Sequence, residues 1–335
     1  MHRTRAGADF PSKYQLICIC SFIANLFLIC GCGESKQEMR QIETVKTTRI
    51  TPLTSKEDGN FYFPRFLAND AKIIFTSANK RGIWCYDRAD KKITQLNSLS
   101  GAGQEPVINQ DGSKVYFKAD SIGADRRKRS YLYEQDLHSG RLRSLLAEPV
   151  RHLVHIKLID DRYLAFFDQD QLRAIDLSTY QFQPAQYMAG PVWTLYRNKI
   201  ICYSDGEKSV LDPFPAANLI WFENVSSGDE FLVYVVGRGL YKLNRKGEIL
   251  ADLGHLRAPR WSVINNLIAY MQDTDDGMKI TGSDIYAATP DGKLKFNLTN
   301  TPDKIEMYPA WSDDGSMIVY HTDDGQIFTL SLDIQ

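Results

Sequence analysis

Arg65 and Arg260 each follow a proline in similar apolar stretches, Phe63-Pro64-Arg65-Phe66 and Ala258-Pro259-Arg260-Trp261. A guanidinium carries a planar fork of donors that fits carboxylate or phosphate, so two arginines lining one channel would meet an anionic ligand. The plainer reading is a pair of arginines satisfied by water and carbonyl groups. His152 and His155 stand three apart, and on a strand they point to opposite faces, which disfavours a shared metal. His138 and His321 are isolated from them. Neither a Gly-x-Ser-x-Gly elbow nor a Cys-x-x-Cys pair occurs, so the sequence indicates neither a serine hydrolase nor a cysteine zinc site. Asp273–Gly277 has the outline of a calcium loop but lacks the remaining ligands, and reads as a hairpin turn. Arg126-Arg127-Lys128-Arg129 forms a basic run within an expected long loop, Asp120–Ser130. The chain's formal net charge is -1, so this run reads as solvated and offers nucleic acid no basic field. No metal or other cofactor is expected.

The elements that must position these residues repeat. Pro64, Pro106, Pro191, Pro259 and Pro309 each open a strand, and two residues on stand Phe66, Ile108, Trp193, Trp261 and Trp311. A turn of Asn, Asp or Gly follows, then a strand ending in Phe75, Phe117, Tyr203, Tyr270 or Tyr320. Val154–Phe167 and Leu219–Tyr234 are weaker copies without the proline. Third strands read IWCYD, YLYEQD, LRAID, LYKLN, IYAAT and IFTLS, and fourth strands KITQL or KFNL. Asp-Gly turns between apolar runs make hairpins, because glycine takes positive φ without a Cβ clash. Four short strands about every 40 residues predict an all-β chain folded as a β-propeller. A β-sandwich does not require the same proline, aromatic, turn and strand order five times over. Seven four-stranded blades are expected, starting near residues 60, 105, 152, 190, 218, 257 and 307. Six blades, with residues 187–254 as one irregular unit, is the alternative count.

The N-terminus reads as a targeting segment. Arg3, Arg5 and Lys13 precede Leu16–Ile29, fourteen residues that are apolar except Ser21 and Asn25. That is signal-peptide length and short of a membrane span. Ile29-Cys30-Gly31-Cys32 resembles the bacterial lipobox, which implies cleavage after residue 31 and lipidation of Cys32. Residues 32–45 read as a polar tether and 46–335 as the propeller. Cys18, Cys20 and Cys30 fall in the removed segment, which leaves Cys85 and Cys202. These lie on blades too far apart for a disulfide, so two free, buried thiols are expected. The last repeat stops after its third strand, whereas Arg49–Leu53 resembles a fourth strand. The N-terminal segment is therefore expected to complete the C-terminal blade and close the ring.

Leu298-Thr299-Asn300-Thr301-Pro302, Tyr308–Gly315 and Ile327-Phe328 resemble the repeats of the TolB-like propellers, a family related to the WD40-like β-propellers. Asp313 stands where that repeat has proline, and Val263–Asn266 replaces its Ser-Pro-Asp-Gly turn. The resemblance implies the fold. Its repeat serves binding proteins, oligopeptidase propellers and lyases alike, so it implies no one activity.

Two functions follow as expectations. One is a lipid-anchored binding module in the cell envelope, taking a protein or glycan. The other is an envelope enzyme acting on anionic polysaccharide. In either, the expected binding face is the one where the innermost strands begin, with Glu105, Arg257, Glu306 and Tyr308 near the channel mouth beside Arg65 and Arg260. The Arg126, Arg127 and Arg129 loop and a second long loop, Gln272–Ser283, rise on that face, and long loops on a rigid scaffold are frequent binding elements. Gly33, rather than aspartate, follows Cys32, as in lipoproteins sent to the outer membrane. Acyl chains anchor a protein stably once two or more are present. Cys32→Ser should therefore move the protein from the membrane to the soluble fraction; a variant that still sediments with membranes would refute lipidation.

Overall fold

The computed structural model describes residues 42–335 except 152, 169–170, 184–190, 205–206 and 226–229. The signal segment, Cys32 and His152 lie outside the described residues. Residues 61–97, 107–144, 153–183, 192–211, 219–254 and 257–297 form blades 1 to 6, each a meander of antiparallel strands. Blade 7 runs over residues 306–334 and takes its outer strand from Val45–Pro52. Six blades have four strands, and three strands are described in blade 4. The fold is thus a seven-bladed β-propeller, and the six-blade count is excluded because 192–211 forms its own sheet.

The second strand of each blade is a near-continuous apolar run, such as Lys72–Ser77 (KIIFTS) and Leu267–Asp275 (LIAYMQDTD). Strands sandwiched between neighbours need apolar side chains on both faces, so these runs do not alternate. Ile73, Ile74, Phe117, Phe166, Leu232, Ile268 and Ile318 are accordingly buried. The core is a series of clusters between adjacent blades; one joins Leu267, Ala269, Met271 and Ile285 of blade 6 to Ile318, Tyr320 and Leu330 of blade 7. Cys85 and Cys202 are free and buried, as expected.

Ring closure begins earlier than the sequence implied. Val45–Pro52 pairs antiparallel with Ile327–Ile334, from Val45 opposite Ile334 to Pro52 opposite Phe328. The Leu53 N–H donates to the Ile327 carbonyl at 2.8 Å, and the Ile327 N–H donates to Thr54 Oγ1 at 2.9 Å. Asp70 of blade 1 accepts the Asp313 N–H at 2.9 Å across the same seam. Comparable links tie other neighbours: Gln110 N–H to Asp161 at 2.8 Å, and Asn265 Nδ2 to the Gly315 carbonyl at 2.7 Å. These turns between first and second strands are thus occupied in holding blade to blade.

The two expected long loops are strands for most of their length. Lys114–Ile122 pairs with Lys128–Asp136 out to Ile122 opposite Lys128, and Leu267–Asp275 pairs with Ile280–Ala288. Only 123–127 and 276–279 turn. Asp276 accepts the Met278 and Lys279 N–H groups at 2.9 Å, so the calcium-like sequence caps a turn.

Glu306 is fully buried at the start of blade 7's innermost strand. One carboxylate oxygen accepts the Thr301 hydroxyl and the other has no partner among the described residues. Burial lifts its carboxyl to about 7, against the pull of the Thr301 hydrogen bond.

Two outcomes follow. Deleting residues 45–54 removes a row of ladder hydrogen bonds, each worth roughly 1 kcal/mol, and should lower the melting temperature by many degrees. An unchanged melting temperature would show that closure contributes little. For Glu306, both states are protonated below about pH 4.5, its ordinary value. Between there and about pH 7 the unfolded chain gives up its proton while the folded one keeps it, so stability falls as pH rises. The total loss is at most roughly 3 kcal/mol, at about 1.4 kcal/mol per pH unit, and stops growing above about 7. Glu306→Gln should lack this component in urea titrations across pH 5 to 8; an unaltered pH profile would refute the assignment.

Candidate functional site

Five of the seven innermost strands share one distortion. Phe63, His155, Trp221, Ala258 and Tyr308 have positive φ, between 48° and 55°, and Glu105 has φ 51° just before its strand. The ladder slips at each of the five strand positions: between Tyr62 and Arg65, Val154 and Lys157, Ile220 and Phe222, Arg257 and Arg260, and Met307 and Ala310. These are β-bulges, in which an extra residue leaves the ladder and re-aims its neighbours. Proline has no N–H to offer a ladder and so fits immediately after the bulged residue, at Pro64, Pro259 and Pro309, and likewise at Pro106. At these four positions the proline follows the left-handed residue, whereas Pro191 opens the unbulged strand of blade 4.

Two residues beyond the left-handed one, each strand presents the residue paired with the third position of its neighbour. Arg65 faces Ile74, Val107 faces Tyr116, Lys157 faces Ala165, Glu223 faces Leu232, Arg260 faces Ala269 and Ala310 faces Val319. Blade 4 has no slip, and its equivalent is Thr194, opposite Ile201. All seven line one cavity of about 550 Å³ at the mouth of the channel. Phe63, Glu105, His155, Trp221 and Tyr308 form a collar above them in the same cavity. Arg65, Lys157 and Arg260 also line the cavity of about 950 Å³ on the other side, so they mark the waist between the two.

The waist holds three cations and one carboxylate. Arg260 Nη1 donates to Glu223 Oε2 at 3.0 Å, and the other Glu223 oxygen accepts the Trp261 N–H at 3.0 Å. Lys157 donates to the Trp193 carbonyl and lies 5.2 Å from the centre of the Phe222 ring. Burial lowers the Lys157 amine to about 8, with Glu223 opposing that shift. Arg65 makes no hydrogen bond or ion pair to a described residue. Its guanidinium falls to about 10, first through burial and then through the like charge of Arg260. Burial also lowers His155.

One side of the collar is an aromatic cluster. Tyr308 stacks on His321 at 5.5 Å and 12°, and Phe63 meets Tyr308 edge-on at 4.7 Å. His321 is 3% exposed, its Nε2 has no partner among the described residues, and burial lowers it to about 4. It is therefore neutral at physiological pH and serves as a flat wall behind Tyr308.

The structure places Arg65, Glu105, Arg260 and Tyr308 along one cavity at the mouth. Glu306 does not join them, because its side chain is enclosed with Thr301. Arg257 ion-pairs with Asp273 and is absent from both cavity walls. Arg126 and Arg127 are exposed at a hairpin tip, and Arg129 is held by Asp125 at 2.7 Å; none lines the channel. Sequence reasoning missed Lys157 and Glu223 because their repeats lack the proline. It also matched Trp193 to Trp261 and Trp311, whereas Leu195, opposite Ile200, holds that place in the unbulged blade 4. Counting from the apolar second strand instead of from the proline finds all three.

The sequence matches no protein-family model and no curated protein. Solved structures do resemble the fold. The β-propeller domain of the Trilobed protease from Pyrococcus furiosus, described as having an open velcro topology, aligns with a TM-score of 0.55 at 13% identity. The alignment covers 82% of this chain and 97% of that one. A chain of the Mitotic Checkpoint Complex aligns with a TM-score of 0.56 at 10% identity, covering 93% of this chain and 99% of that one. An oligogalacturonate lyase in complex with manganese aligns more loosely, with a TM-score of 0.44 at 13% identity, over 82% of this chain and 78% of its own. At these identities the likeness concerns architecture, and the chain is a β-propeller.

Proposed function

We propose that this chain is a cell-envelope lipoprotein, anchored in the outer membrane through Cys32, whose propeller is a binding module for a protein or glycan. The observation that carries the binding reading is the asymmetry of the two faces. At the mouth, bulges hold Phe63, His155, Trp221 and Tyr308 in left-handed backbone and line them along one cavity. Each such residue costs roughly 1–2 kcal/mol, and strain of this kind concentrates where ligands are held. On the opposite face, the tight turns are engaged with neighbouring blades. The anchor reading rests on the order of charged, apolar and small residues before Cys32.

A second reading, an enzyme acting on anionic polysaccharide, draws on the three cations at the waist. Turnover of a polyuronide by the purified full chain would favour it over binding alone.

The binding reading is tested by probing glycan and envelope-protein arrays with the full chain. Phe63→Ala combined with Tyr308→Ala should weaken any interaction found by tenfold or more. Asp111→Lys combined with Lys293→Glu, on the opposite face, should leave it within twofold. The reverse pattern in folded variants would place the ligand on the other face.

A further inference from the structure

The waist of the channel carries an unfilled charge requirement. Of its three cations, Arg260 is committed to Glu223 and Lys157 to the Trp193 carbonyl. Arg65 is committed to nothing among the described residues. A guanidinium does not shed its proton at physiological pH, so Arg65 cannot relieve its burial by becoming neutral. A lysine can, and Lys157 is already displaced in that direction. Cations gathered at one level of a low-dielectric channel focus a positive field on its axis. Water weakens that field, but an oxyanion would neutralise it and would fill the open fork of Arg65 with two parallel hydrogen bonds.

The collar describes what the oxyanion is attached to. Phe63, Trp221 and Tyr308 present ring surface above the waist, with Leu195 and Phe222 below them. Glu105, exposed at the rim, disfavours a second negative charge at that height. The ligand therefore carries its negative charge at the inserted end and is flat or apolar behind it.

We propose that the channel waist is an oxyanion site in which Arg65 receives a carboxylate or phosphate group, assisted by Lys157, while the aromatic collar holds the body that carries it. This rests on the reading of the mouth as the binding face and names the chemistry of the group inserted there. Arg65 is the primary contact, because among the three waist cations it alone makes no hydrogen bond or ion pair to a described residue. Arg260 is a positioning residue: Glu223 holds it, and its charge adds to the field. Lys157 makes binding depend on pH. Glu223 is the charge that acts on it, His155 is on its own strand, and Arg65 and Arg260 line the same cavity. Lys157 is charged below about pH 8, so anions should bind fully there and more weakly as pH rises beyond it.

The full chain should be titrated calorimetrically with inorganic phosphate, acetate, benzoate and the neutral isostere benzamide. Benzoate should bind more tightly than acetate because of the collar, and benzamide should not bind measurably. Arg65→Gln should weaken benzoate at least tenfold, whereas Arg126→Gln, at the exposed hairpin tip, should not change it. Benzoate affinity should fall by up to tenfold per pH unit above pH 8, and Lys157→Met should remove that fall. Phosphate binding without carboxylate binding would assign the site to phosphate-bearing ligands, and the converse to carboxylates. Equal affinity of Arg65→Gln and the parent chain, equal binding of benzamide and benzoate, or no heat with any anion would overturn the proposal. If anions fail while the Phe63 and Tyr308 variants still lose a macromolecular ligand, the binding face stands and only the oxyanion site falls.

Discussion

Everything in this molecule depends on the antiparallel pairing of its two chain ends. A ring of sheets has no edge only if its last blade is completed, and Val45–Pro52 completes it against Ile327–Ile334. The junction uses the same physics as any hairpin, with the chain connection replaced by the whole ring. Two supplementary contacts flank it, the Thr54 hydroxyl accepting the Ile327 N–H and the Asp70 carboxylate accepting the Asp313 N–H. The second contact belongs to a wider pattern in which tight turns of one blade hydrogen-bond to the next. The apolar second strands then fill the space between blades without alternation, because both of their faces are covered.

A closed ring leaves a channel, and the bulges determine what faces it. In an unbulged strand, alternation alone would decide which residues point inward. One extra residue in each of several innermost strands changes that parity at a fixed height. Above the slip stand Phe63, His155, Trp221 and Tyr308, and below it stand Arg65, Lys157, Glu223 and Arg260. The aromatic collar and the charged waist are thus two consequences of one backbone feature. Blade 4, which lacks the slip, contributes the uncharged Thr194 to the waist.

Buried polar groups sit beside this arrangement in blade 7. Among the described residues, one Glu306 oxygen and the His321 Nε2 have no partner. Burial drives both toward their neutral forms, the carboxyl upward and the imidazole downward. At physiological pH His321 is neutral, and Glu306, raised to about 7, lies outside the cavity wall that Arg65 and Arg260 charge. Glu306 supports the strand start through its backbone, whose carbonyl accepts the Ser283 hydroxyl at 2.6 Å. His321 supports Tyr308 from behind.

The sequence by itself determined the repeat and the use of an N-terminal strand to close the ring, while the separate sheet of residues 192–211 decided seven blades over six. The repeat and the closing strand depend on period, turn chemistry and apolar runs, which are local properties of the chain. It also pointed to Arg65 and Arg260, since the proline before each is a visible marker. The charged partners were hidden. Lys157 and Glu223 belong to repeats without the proline, and a one-residue slip in a strand moves every side chain to the other face. Only the tertiary structure showed which side of each bulge a residue occupies. It enclosed Glu306, bound Arg257 to Asp273, drew Arg126 and Arg127 out to a hairpin tip, and paired Arg129 with Asp125. Each depends on contacts between blades or on how far a hairpin stays paired, which sequence spacing does not encode. The free fork of Arg65 is a property of the same kind, because it arises from where the other six waist residues place their charges.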